Sequence, residues 1–255
     1  MNALLDFRVY VLNYRNPERR ESMVRMLEGL GISEEKTHFA EEVDGSLIDR
    51  KTLTTDFNYT ARFAATANNA CIGNALSHLS MLRDMISGNV AQAIVFEDDV
   101  IELHQGNTVP LINAICGQLP DCWEVVYLER CHGDCFNDIP FSENLLITQS
   151  PTGVAARLIS LNGAKKLMFF HETIRTNEPI DIFYKRISPN MFYLASTPML
   201  FGQSAMFSSN IRDYRAGDAE GAIRLPECRN RFMFYADKYW RYCRDLIIEK
   251  LSGRG

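Results

Sequence analysis

The chain has 255 residues, 46% of them hydrophobic and 23% charged, with a net charge of −5. This is the composition of a soluble globule with a full core, and its negative balance argues against general nucleic-acid binding, which needs a basic field. No apolar run approaches the ~20 residues that span a bilayer, and seven scattered cysteines do not resemble a disulfide framework.

The N-terminus MNALLDFRVYVLNYRNPERR has no basic segment followed by an apolar one, so no signal peptide is expected and a cytoplasmic location fits best. Within it, the β-branched segment 8–13 (RVYVLN) predicts a strand that breaks at Asn16-Pro17. Residues 18–30 place Met23, Met26, Leu27 and Leu30 at helical spacing, with Gly29 and Gly31 as stop signals. Thr37-His38-Phe39-Ala40 leads into Glu41-Glu42-Val43-Asp44-Gly45, a short strand ending at a turn. This β-α-β opening predicts an α/β fold in one domain, with a central, mainly parallel sheet flanked by helices.

Residues 46–70 are polar and weakly periodic, and read as a surface loop with some helix. In residues 71–88, Leu76, Leu79, Leu82, Arg83 and Ile86 follow a helical stripe that Gly88 ends. Asn74, Ser77 and His78 share another face, which either lines a site or is simply solvated. A strand at 92–96, a helix at about 108–118 and a strand at 123–129 continue the alternation. Residues 130–150 read as a long loop, longer than most connections in a compact domain. A strand at 152–161, the helix NGAKKLMFFHETI, a short helix beginning at Pro179 and a strand at 191–197 follow. Cys131-His132-Gly133-Asp134-Cys135, with Cys116 and Cys122 upstream, lacks the regular pairing of structural zinc sites, so free thiols are expected.

Strand 92–96 ends in Glu97-Asp98-Asp99. Three consecutive carboxylates behind an apolar run repel one another and resist burial unless something positive answers them. If extended geometry persists, Glu97 and Asp99 share one side and Asp98 faces the other. Ligands of open α/β sheets gather at the carboxyl ends of strands. Two convergent carboxylates there suit Mg²⁺ or Mn²⁺ taken up with a substrate phosphate. The alternative is that the acids cap the next segment or pair with nearby arginines. Neither glycine-rich phosphate loop occurs, and the turn at 13–20 has no glycine. A nucleotide diphosphate bridged by one cation meets that requirement; a P-loop kinase, a Rossmann dehydrogenase or a nucleotidyltransferase with a basic glycine loop does not.

The segments VYVLNYRNPERRESM, EEVDG, CIGNALSHLSM, IVFEDDV and PIDIF, in that order, resemble glycosyltransferase family 25. This family holds the bacterial lipooligosaccharide galactosyltransferases and the related collagen galactosyltransferase domains. The likeness runs from about residue 8 to about residue 212, where LFGQSAMFSSNIR resembles the closing segment of the family. It implies a GT-A type fold, a UDP-sugar donor (usually UDP-galactose), Mn²⁺ dependence and inversion at the anomeric carbon.

By that resemblance, Glu97-Asp98-Asp99 stands for the metal motif. Asp99 and Glu97 would face the cation, with Glu97 or Asp98 on the ribose or a metal-bound water. Asn13, Arg19 and Asp44 would line the uridine pocket, although Asp44-Gly45 also reads as a plain turn. His78 would contact the diphosphate or sugar, or be a satisfied buried histidine. Gln203 and Ser209 would close over the diphosphate. Asp181, among Pro179, Ile180, Ile182 and Phe183, is the expected base, with Glu178 and Asp134 as alternatives; an Asp at a helix start can equally satisfy backbone N–H groups. No histidine follows His171 to supply a third metal ligand.

The expected partners are UDP-galactose or UDP-glucose and an oligosaccharide acceptor. The basic-aromatic segment 228–252 either rests on an anionic membrane bearing a lipid-linked acceptor or packs on the core. A metal-dependent nucleotidyltransferase and an inactive sugar-nucleotide or glycan-binding module are the rival readings.

Overall fold

A computed structural model describes residues 6–13, 16–41, 43–130, 138–149 and 151–204. The segments 210–230 and 228–252, the Cys131–Cys135 cluster with Asp134, and Ser209 lie outside the described residues.

The first strand, β1 (Arg8–Asn13), is buried from its second residue on. Asn16 caps the helix α1 (Pro17–Gly29) by accepting from the Arg19 backbone N–H at 3.1 Å, and proline occupies the first turn, where its missing N–H costs nothing. β2 (Thr37–Glu41) then lies parallel to β1. The polar stretch expected to be loop with some helix contains α2 (Arg50–Thr55) and α3 (Ala61–Thr66). The long helix α4 (Asn69–Ser87) is capped by Asn68 and ends at Gly88. β3 (Gln92–Glu97) and β4 (Val100–Glu102) flank the acids, and α5 (Thr108–Gln118) and β5 (Val125–Tyr127) follow.

The expected long loop at 130–150 contains β6 (Ile139–Pro140) and β7 (Leu145–Ile147), which pair with each other. The remaining elements are β8 (Ala156–Ser160), α6 (Leu161–Thr173), α7 (Ile180–Ile187), β9 (Tyr193–Ser196) and β10 (Phe201–Gln203).

Eight strands form one sheet in the order β2-β1-β3-β8-β5-β9-β7-β6, and β10 pairs separately with β4. The α/β class and the flanking helices are as expected, but the sheet is mixed where a mainly parallel one is predicted. β1–β2, β1–β3 and β5–β9 are parallel, whereas β8 runs antiparallel to both β3 and β5, and β7 runs antiparallel to β9 and to β6. The reason is the connection. No helix separates β5 from β8 among the described residues, and without a crossover the chain re-enters the sheet reversed.

Both faces of the sheet are covered. Tyr10 and Leu12 of β1 pack with Leu76, Leu79, Leu167 and Phe183 on the side of α4, α6 and α7. Val9 and Val11, of opposite parity, join Met23, Leu27, Ile112 and Ile115 of α1 and α5. With two faces to bury, the central strands read as near-continuous apolar runs. One edge therefore collects the carboxyl ends of β1, β2 and β3: Asn13 lies opposite Glu41, and Leu12 opposite Glu97. The reversed β8 brings its amino end to the same edge, where the Glu97 N–H donates to the Ala155 carbonyl at 2.8 Å.

Candidate active site

β3 stops at Glu97, and Asp98-Asp99 turn the chain into β4. Extended geometry does not persist through the acids, so the expected sharing of one side by Glu97 and Asp99 loses its basis. Each carboxylate has an environment of its own.

Asp98 is the buried one, 3% exposed. Its Oδ1 accepts from Arg19 Nη1 at 2.6 Å and its Oδ2 from Asn13 Nδ2 at 2.7 Å. Asn13 and Arg19, expected in a uridine pocket, meet on Asp98. Proline at the start of α1 and the Asn16 cap set the turn that brings Arg19 back over the end of β1.

Glu97, at the end of β3, is met by two residues of α4. Its Oε1 accepts from Asn74 Nδ2 at 2.7 Å and lies 3.1 Å from His78 Nε2. Burial alone would push the Glu97 carboxyl up, but the His78 and Asn74 hydrogen bonds and the Arg157 charge hold it below the usual carboxylate range. His78 is fully buried, and burial lowers its imidazole against the opposing pull of Glu97, with Arg157 lowering it further. The polar face of α4 is not solvated. Ser77 accepts from the Val43 N–H at 2.8 Å and donates to the Gly73 carbonyl at 2.7 Å, fixing the segment that precedes Asp44.

That segment lies backbone to backbone against α4. A Cβ on Gly45 would sit 2.0 Å from the Asn69 carbonyl oxygen, and one on Gly73 would sit 2.3 Å from that of Val43. Asp44 itself accepts from the Ser46 N–H at 2.9 Å and the Ser46 hydroxyl at 2.6 Å, so the turn geometry is present at this residue.

Asp99 is half-buried where β4 begins, and its carbonyl accepts from the Ser204 N–H at 2.6 Å. Gln203 pairs with Val100 across the β4–β10 ribbon, which brings it beside the acids from a hundred residues away. Asp181 is the second residue of α7 and half-buried. Burial pushes its carboxyl up; the Ile182 N–H opposes this, the Glu97 charge adds to it, and Arg157 lowers it. Asp181 is therefore within electrostatic reach of both Glu97 and Arg157. Glu178 pairs with Arg186 at 2.9 Å.

Arg157 is the residue sequence reasoning missed. It sits on β8 at 1% exposure, with Nη2 3.1 Å from His78 Nδ1 and its guanidinium 5.1 Å from the Tyr184 ring centroid. The available signal was one arginine inside the apolar run VAARLIS.

Among the described residues, no group of three or more His, Cys, Asp and Glu is placed to hold a metal, and Cys71, Cys116 and Cys122 are free thiols. Asp99 and Glu97 carry the oxygen donors that hard cations such as Mg²⁺ and Mn²⁺ take, and no third such protein group stands beside them among the described residues. No helix of the described residues is long and apolar enough to cross a membrane.

Residues 7–110 match the family model described as glycosyltransferase family 25 (LPS biosynthesis protein). The "probable inactive glycosyltransferase 25 family member 3" of Bos taurus is 30% identical over 193 residues, covering 69% of this chain and 30% of its own. A glycosyltransferase 25 family member of Aedes aegypti is 28% identical over 175 residues, covering 63% and 27% respectively. The chain thus spans less than a third of the length of these curated relatives. A solved glycosyltransferase involved in glycosylation of the major capsid of PBCV-1 aligns at a TM-score of 0.45 and 9% identity, over 78% of this chain and 93% of that one.

Through residues 7–110, which run from β1 into α5 and include the whole acidic triplet, the chain belongs to glycosyltransferase family 25.

Proposed function

We propose that this edge of the sheet is the donor site of an inverting, metal-dependent glycosyltransferase of GT-A type. It moves a hexose, galactose in β linkage being the first candidate and glucose the second, from a UDP-sugar to an oligosaccharide acceptor in lipooligosaccharide or lipopolysaccharide assembly. One observation carries the reading: the three carboxylates are not handled alike. Arg19 and Asn13 neutralise Asp98, and Asn74 and His78 keep Glu97 anionic, while Asp99 stands at the turn beside Gln203.

Asp99 and Glu97 would hold Mn²⁺ or Mg²⁺, whose chemistry there is to neutralise charge developing on the departing diphosphate. Gln203 can donate to a phosphate oxygen from its position in the ribbon, and Asp44 can accept from ribose hydroxyls or the uracil N–H. Asp181, its carboxyl raised by burial, takes the proton of the acceptor hydroxyl as that oxygen attacks the anomeric carbon and the bond to the β-phosphate oxygen breaks. UDP leaves with the electron pair. A lipid-linked acceptor and a peripheral membrane contact through 228–252 extend the same reading.

The test is UDP release from UDP-galactose and UDP-glucose across an oligosaccharide acceptor panel. Asp181→Asn should lower kcat at least a hundredfold while donor affinity stays within about threefold, since one general base contributes ~10²–10⁴. The Bos taurus relative, named as inactive, favours a second reading, donor binding without turnover. It predicts no acceptor-dependent UDP release from the wild type despite donor binding.

A further inference from the structure

We infer that Arg157 is a positioning residue for the acidic triplet, acting through His78 on Glu97; the inference rests on the donor-site reading for its purpose, though not for its geometry. The hydrogen bonds run in one direction. A guanidinium only donates, so at 3.1 Å from Arg157 Nη2 the His78 Nδ1 must be the acceptor and carry no proton. A neutral imidazole with a bare Nδ1 has its proton on Nε2, which then donates to Glu97 Oε1 at 3.1 Å. Arg157 thereby selects the tautomer that His78 must have to hold Glu97. Asn74, one turn earlier on α4, delivers the second donor to the same oxygen at 2.7 Å. The relay ties three elements, β8, α4 and β3, to one carboxylate at the sheet edge.

The Arg157 side chain is 1% exposed and lies within electrostatic reach of Glu97 and Asp181, beside the Tyr127 and Tyr184 hydroxyls. The flanking residues of β8 offer a direct comparison, because Leu158 and Ile159 are buried and purely apolar.

Two measurements test this. First, ¹⁵N-histidine spectra of the whole chain, with His78 assigned by the loss of its signals in His78→Gln, should show Nε2 protonated and Nδ1 bare. A protonated Nδ1 overturns the inference whatever the protein's function. Second, Arg157→Met, checked as folded by circular dichroism, should let the His78 tautomer mix and weaken UDP-galactose binding in Mn²⁺ at least tenfold. His78→Gln, whose amide can still donate to Glu97, should retain affinity within about threefold, and His78→Leu should not. Arg157→Met that leaves both tautomer and affinity unchanged overturns the role. If Arg157→Met does not fold, the structural explanation for Arg157 stands and the positioning role is withdrawn. A wild type that binds no sugar nucleotide sinks the donor-site reading instead, and the tautomer result still decides the relay.

Discussion

Arg19 Nη1 lies 2.6 Å from Asp98 Oδ1, with both side chains under a tenth exposed. This pair explains how a core strand can run straight into three acids: the middle one turns inward and is met by an arginine delivered by the first turn of α1. Removing one partner leaves an uncompensated buried charge, so Arg19→Met should destabilise the fold by about 3 kcal/mol or more. Adding Asp98→Asn should recover most of it. Urea denaturation of the two variants checks both; a loss under ~0.5 kcal/mol in the single variant, typical of an exposed pair, would show the charge is not buried in solution.

The approach of residues 43–45 to α4 tolerates no side chain. Gly73→Ala should cost ~1–3 kcal/mol or more, as overpacking does, because the atom it meets is the Val43 backbone oxygen and cannot swing aside. Gly117→Ala near the end of α5 meets nothing within 4 Å and should stabilise by ~0.4–1 kcal/mol through the unfolded chain. Thermal midpoints moving in opposite directions are the expected outcome, and a tolerated Gly73→Ala would contradict the contact.

His171, 3% exposed and 3.2 Å from the Tyr59 hydroxyl, is lowered by burial, with Arg83 adding to the effect, from 6.5 to about 4. The unfolded chain then binds more protons than the folded one between about pH 6.5 and pH 4, so stability falls as pH drops through that window. At ~1.4 kcal/mol per unit the loss is at most about 3.5 kcal/mol. His78 acts in the same direction, so His171→Leu should flatten the acid limb of the denaturation midpoint only in part. An acid limb identical to wild type would mean that His171 is not buried neutral.

Most of the framework was legible because its signals are local. β1, α1 and α4 announce themselves by their apolar pattern and by the breaks at Asn16-Pro17 and Gly88. What failed was non-local. The β4–β10 ribbon joins two three-residue strands separated by about a hundred positions, too short for any periodicity to mark. The reversal of β8 follows a connection with no helix among its described residues, which the α/β alternation in the sequence does not encode. In the site, the carboxylates and the polar face of α4 could be found as residues, but which partner each would meet could not. Asn13 and Arg19 read as ligand contacts, and only the fold brings Asp98 between them. Arg157 was hidden because a strand buried on both faces reads as apolar, and a single cation within it carries no periodic signature.

The most direct measurement is calorimetry of UDP-galactose binding, with and without Mn²⁺, to the wild type and to Asp99→Asn. Binding that requires Mn²⁺ and is lost in Asp99→Asn, with the fold intact by circular dichroism, is the expected result. Binding that ignores the metal and is unchanged in Asp99→Asn would contradict the donor site and return the acids to a structural role.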